Sequence, residues 1–154
     1  MDFHDLYSRY AADVHRFSMY LACNPALADD ITSETFLRAW SSAAPIREAT
    51  VKAYLFAIAR NVYLQELRRT SRHDALDDSI PSTSPRPDAR AEQRDALDVV
   101  LRALRGFAAV DRVALLMRTQ DGTSYEEIAQ TLGLSVSAAK VKVHRARMKL
   151  ALLI

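Results

Sequence analysis

Five cations, Lys140, Lys142, Arg145, Arg147 and Lys149, crowd residues 135–154, a stretch with no Asp or Glu to answer them. A solvated helix normally mixes both signs, so that side chains three and four apart can pair. A one-sign face that also presents Ser137, Ala138, Val141, His144 and Met148 suits a duplex instead. Cations meet phosphates there, while small or polar side chains meet base edges in the major groove. The chemistry indicated is recognition of a polyanion, not bond making. No nucleophile–base pair or Gly-rich phosphate loop occurs. Cys23 is the single cysteine, and His4, His15, His73 and His144 are too scattered for a ligand set. No enzyme activity, metal or cofactor is expected.

The elements that must position this face are legible on either side of it. Ser124 is a good N-cap, and Glu127 three residues later completes a capping box, which starts one helix. Gly133 ends it, because the residue after a helix often needs positive φ, open to glycine at no cost. Ser135 caps a second helix, whose apolar side chains fall at Val136, Ala139, Val143, Ala146, Leu150 and Leu153. Spacings of three and four mark one buried stripe. The charged face lies opposite. The pattern is a helix-turn-helix with its second helix as the reader of DNA.

Composition sets the frame. The 154 residues are 49% apolar with only three Gly, and no alternating β-branched run is present, so an all-α fold is expected. The net charge of +2 is uninformative, but its distribution is not: residues 90–154 hold eleven Lys/Arg against seven Asp/Glu, whereas residues 1–70 are balanced at eight each. No apolar run approaches membrane-spanning length, and the acidic start does not resemble a signal peptide, which suggests a reducing, cytoplasmic location.

From the N-terminus, a helix is predicted over 2–22, with Phe3, Leu6, Tyr7, Tyr10, Val14, Phe17 and Leu21 on its apolar face. Asn24-Pro25 breaks it. A second helix from Pro25 to about Ala43 has Ala28, Ile31, Phe36, Leu37 and Trp40 as inner positions, and Asp29, Asp30 and Glu34 near its N-terminal end, where acids suit the dipole. A loop over 44–50 leads to a third helix, 51–69, with Tyr54, Leu55, Ile58, Val62 and Leu67 inside. Residues 70–91 hold Pro81, Pro85 and Pro87 and little to bury, and are expected to form a flexible linker. Some 20 residues extend to roughly 60–70 Å, about two turns of duplex at roughly 35 Å each. Helices over 92–106 (Leu97, Val100, Leu101, Leu104) and 109–119 (Val110, Val113, Leu116, Met117) precede the helix-turn-helix. The organisation expected is two small helical domains, 1–69 and 92–154, joined by residues 70–91.

Two stretches resemble bacterial sigma factors of the extracytoplasmic-function group, which keep only regions two and four of the sigma-70 family. Ala28-Asp-Asp-Ile-Thr-Ser-Glu-Thr-Phe-Leu-Arg-Ala-Trp40 resembles the acidic-aromatic helix with which that family grips the polymerase clamp. Ala53-Tyr-Leu-Phe-Ala-Ile-Ala-Arg-Asn61, closed by Arg68-Arg69, resembles the helix facing the −10 element. Ser124-Tyr-Glu-Glu-Ile-Ala129 with Arg145-Ala-Arg147 resembles the reader of the −35 element. Ser33, Tyr54 and Ala108 depart from the usual residues without changing what can pack. Ala138-Ala139 replaces Thr-Val and removes a hydroxyl that would meet phosphate.

The resemblance implies a transcription initiation factor that binds core RNA polymerase, directs it to promoter DNA and helps open the duplex. It assigns the −35 element to Ser137, Lys140, Val141, Lys142, His144, Arg145 and Arg147. Lys140, Lys142 and Arg147 would anchor phosphates and Arg145 would meet a base, a fork-shaped donor matching guanine O6/N7. It assigns the −10 element to Arg47, Arg60 and Asn61, the amide offering a donor and an acceptor to an unstacked base. Polymerase binding falls to Asp29, Asp30, Glu34, Arg38 and Trp40. An anti-sigma partner is also implied. The chain ends soon after the recognition helix, so no appended sensory domain is expected. The competing reading is a dimeric helix-turn-helix regulator bound to an operator, which leaves the Asp29-Asp30-Glu34 helix and the long linker unexplained.

Overall fold

The computed structural model describes residues 2–42, 47, 50–74, 99–100 and 102–153, and among these there is helix and no strand. The helices are α1 (Phe3–Ala22), α2 (Pro25–Ser41), α3 (Val51–Asp74), α4 (Ala109–Thr119), α5 (Tyr125–Leu132) and α6 (Val136–Leu153), with a further helical stretch over 102–105 before α4.

Local chemistry explains the helix boundaries. The Asp2 carboxylate accepts from the Asp5 amide at 2.8 Å and starts α1. Cys23 stops it in the left-handed region, φ 49°, with its amide donating to the Met19 carbonyl at 2.8 Å. Asn24 then caps α2 through the Leu27 amide at 3.1 Å, and Pro25 occupies the first turn, where a missing amide costs nothing.

The first three helices pack on one another around Leu6, Val14, Phe17, Ile31, Phe36, Leu55 and Val62, with the Phe17 and Phe56 rings stacked 4.3 Å apart. Buried Thr32 and Thr35 donate back to the Ala28 and Ile31 carbonyls at 2.7 and 2.6 Å, so neither hydroxyl is left dry and unpaired. Five expected core positions are corrected: Tyr7, Trp40 and Leu153 are 47%, 57% and 54% exposed, and Leu37 and Leu67 join them. Leu37 is 59% exposed, because the buried stripe runs through Ala28, Ile31, Thr32, Thr35, Phe36 and Ala39 and leaves the next residue about 100° around the helix. Leu67 is 45% exposed near the end of a 24-residue α3 that outruns the 20 residues of α1 and the 17 of α2.

α3 also continues five residues beyond the predicted boundary at Arg69, so residues 70–74 are helical and the linker cannot begin at 70. The rest of the expected linker, 75–91, lies outside the described residues, as does most of the 44–50 loop.

The second half builds a core from Leu104, Phe107, Val113, Leu115, Met117, Ile128, Leu132, Val143 and Ala146. The two halves are not separate bodies. α1 packs against α4, and α3 approaches α5. The joint turns on Arg112, which is 4% exposed. Its Nε donates to the Tyr20 carbonyl at 2.6 Å and Nη2 to the Leu21 carbonyl, while Nη1 serves the Leu104 and Phe107 carbonyls of its own half at 3.1 and 3.3 Å. Asp121 adds a second contact, accepting from Tyr20 Oη and from Arg16 Nε, each at 3.0 Å.

Candidate nucleic-acid interface

The helix-turn-helix forms as its caps require. Ser124 Oγ accepts from the Glu127 amide at 3.2 Å, and Ser135 Oγ from the Ala138 amide at 3.0 Å. Gly133 sits at φ 68° between them, with its amide donating to the Ala129 carbonyl. Ala139, Val143 and Ala146 bury one side of α6, and Ile128, Ala129 and Leu132 bury one side of α5. The turn therefore fixes α6 by its apolar stripe and leaves the opposite face outward.

On that face Ser137, Lys140, Val141, His144, Arg145 and Arg147 are exposed. Val141 is 46% exposed and Met148 57%, apolar groups held in water with no core to fill. Lys142 departs from the expectation of a free anchor. It is half-buried, and its Nζ lies 3.4 Å from Asp111 Oδ1 on α4. Lys149 lies over the Phe107 ring at 4.5 Å while remaining exposed.

Sequence reasoning missed one further group. The Arg118 guanidinium stacks 4.4 Å from the Tyr125 ring centre, and Lys140 Nζ lies 5.8 Å from the same ring. Arg118 also donates to the Thr123 carbonyl at 3.1 Å, so it is braced across the Asp121-Gly122 turn. This extends the positive surface from α6 to the N-terminus of α5. The stacking crosses a turn, and helical periodicity carries no signal for it.

The first half presents two other surfaces. Asn61 is exposed and Arg60 half-buried at successive positions of α3, about 100° apart around the helix, and Arg47 is exposed in the preceding segment. Arg60 reaches the helix-turn-helix: a Cβ added at Gly133 would stand 3.7 Å from its Nη1. Between α2 and α3 runs a groove lined by Asp30, Ser33, Glu34, Leu37, Arg38, Gln65 and Glu66. Arg38 spans it, donating through Nε to Glu34 at 2.9 Å and through Nη2 to Gln65 at 2.7 Å. Asp29 is drawn away towards α1, where His15 Nε2 lies 2.9 Å from its Oδ1. Trp40 is 57% exposed and meets the Phe3 ring edge-on at 5.2 Å, next to Tyr7.

Among the described residues no group of three His, Cys, Asp or Glu could hold a metal ion, and no helix is long and apolar enough to cross a membrane. Burial pushes the Cys23 thiol up, opposed by the charges of Arg112 and Arg105. Burial and the hydrogen bond to Asp121 push the Tyr20 phenol up.

Comparison with known proteins follows this division. Residues 6–73 match the family model for sigma-70 region 2, and residues 97–150 match that for sigma-70 region 4. The chain is 30% identical over 145 residues to the extracytoplasmic-function sigma factor SigL of Mycobacterium tuberculosis, covering 92% of this chain and 82% of that protein. It is 30% identical over 151 residues to SigE of Mycolicibacterium smegmatis, covering 95% of this chain but only 59% of the longer relative. It superposes on the sigma factor RpoE of Bartonella quintana, solved in complex with the anti-sigma factor NepR, with a TM-score of 0.76, 26% identity and coverage of 99% and 96% of the two chains.

Proposed function

Since this chain belongs to the extracytoplasmic-function sigma factors of the sigma-70 family, we propose that it binds core RNA polymerase, selects promoters through −35 and −10 elements and assists melting. It performs no catalysis of its own; its place of work is the cytoplasm, where the polymerase acts. The observation that carries this reading is the order of the two family matches, region 2 over 6–73 and region 4 over 97–150, with a carboxylate-free cationic face outward on the second. An operator-binding dimer would account for the second match and not the first.

In this reading α6 lies in the major groove. Arg145 meets a base edge, Ser137, Val141 and His144 line the groove floor, and Lys140 and Arg147 neutralise phosphates. Lys142 joins them only by leaving Asp111. Arg118, held flat by Tyr125, faces the flanking backbone. Arg47, Arg60 and Asn61 receive the −10 strand. The α2–α3 groove, with Asp30, Glu34 and the Arg38 strut, docks on polymerase together with Asp29 and exposed Trp40. The superposition on a sigma factor held by its anti-sigma factor supports a similar inhibitor for this chain.

The test is reconstitution. Purified chain added to core polymerase gives transcripts that start downstream of a defined subset of promoters, and core alone gives none. An operator-binding regulator would give no such transcripts.

A further inference from the structure

Four cations of α6 fall into two rows. At about 100° per residue, Lys140 and Arg147 lie along one flank of the stripe that buries Ala139, Val143 and Ala146, and Lys142 and Lys149 along the other. Exposed Val141, His144 and Met148 stand between the rows. A helix in a major groove has a phosphate backbone on each side, so each row is placed to meet one of them.

The two rows are not equally available. Arg147 is exposed, with no hydrogen-bond or ion-pair partner among the described residues. Lys149 lies over the Phe107 ring, a contact that leaves its charge unneutralised. Lys142 alone faces an anion: its Nζ is 3.4 Å from Oδ1 of Asp111, which the first turn of α4 holds against this flank. Among the described residues, Asp111 is the one carboxylate paired with a cation of α6. The contact is suited to exchange. It is longer than the roughly 2.7–2.9 Å of a strong charge-assisted bond. Its two side chains are 35% and 37% exposed, and ion pairs so open to water hold weakly.

We propose that Asp111 is an affinity-setting residue of −35 recognition, an internal carboxylate that stands in for a phosphate at Lys142. The DNA backbone on that side gains this cation only by displacing Asp111. The inference rests on the function proposed above, in which α6 lies in the major groove. Because the contested partner is a phosphate, the effect carries no base preference. Asp111 therefore lowers the sequence-independent share of binding and leaves discrimination to the side chains between the rows. An acid in the first turn of α4 also suits the helix dipole, and salt dependence separates that purely structural role from competition for Lys142.

The test is fluorescence anisotropy of the full chain on cognate and scrambled −35 duplexes across a salt series. Asp111→Asn should tighten binding to both duplexes by about three- to tenfold at low salt and steepen the log–log salt slope by about 0.9, the increment for one more phosphate. Adding Lys142→Ala to Asp111→Asn should remove both changes. Glu126→Gln deletes an equal charge from an exposed position of the same half without releasing a lysine, so its slope should match the wild type. Melting temperatures within a few degrees of the wild type show that the variants are folded.

A gain in affinity with an unchanged slope overturns the proposal, as does a gain that survives Lys142→Ala or is confined to the cognate duplex. An equal steepening by Glu126→Gln overturns it too, because the general field of the protein then explains the effect. If Asp111→Asn changes nothing while Arg147→Ala weakens both duplexes, the proposal fails and α6 remains the reader of DNA. If Arg147→Ala and Asp111→Asn both leave DNA binding unaltered, α6 is not the helix that meets DNA, and the proposed function falls with the proposal.

Discussion

Ser124 is the residue whose loss should be felt most simply. Its hydroxyl satisfies the Glu127 amide at the start of a helix of only eight residues. Ser124→Ala should cost about 1 kcal/mol of stability, read from chemical denaturation. Arg145 and Arg147 separate two kinds of contact. Arg145→Ala should weaken binding to the cognate −35 duplex by about 1–3 kcal/mol and relax preference at one base pair, whereas Arg147→Ala should weaken all sequences alike; binding titrations on cognate and scrambled duplexes distinguish them. Tyr20 makes a prediction in pH. Burial and Asp121 hold its phenol above the ordinary value of 10.0, so its contribution is fully present below that value and is lost as pH rises through the folded-state value. Of the six tyrosines, Tyr20 should be among the last to ionise in near-ultraviolet titration, and Tyr20→Phe should remove that late step.

At the scale of the helix, α2 divides its work by face. One side buries Ile31, Thr35 and Phe36, and the other turns Asp30, Glu34 and Arg38 into the groove against α3. Asp30→Lys with Glu34→Lys should abolish pull-down of core polymerase while leaving the melting temperature within a few degrees, because exposed charges contribute little to folding. Much of this layout was legible in the sequence. Asn24-Pro25, Ser124, Gly133 and Ser135 announce helix ends through local chemistry, and the structure places each at its boundary. Leu37 and Leu67 were misplaced because apolarity alone does not say which of two adjacent faces is covered. The end of α3 was misplaced because Thr70-Ser71-Arg72-His73 carries no stop signal, only a polar composition. Which of the outward side chains touch DNA is not written in their spacing, and Arg118 stayed hidden because its partner Tyr125 lies across a turn.

For the whole molecule, charge distribution governs behaviour in salt. With Lys142 engaged by Asp111, three to four cations of the cationic face are free for phosphate, and the affinity of the isolated chain for a −35 duplex should fall with a log–log salt slope of about −2.7 to −3.6. A slope much steeper, measured by anisotropy across a salt series, would mean the first half binds duplex as well. The packing of the halves on one another was beyond sequence reasoning, since a buried arginine that serves carbonyls of both halves has no periodicity or pairing rule to betray it. The length of α3 carries a last consequence. As a helix of 24 residues it is a rod of about 36 Å, and residues 70–74 belong to that rod instead of to the linker expected there. Five residues at 1.5 Å each carry the chain about 7 Å further along the helix axis than a helix ending at Arg69 would, so the point from which the chain leaves the first half is set by that last stiff turn.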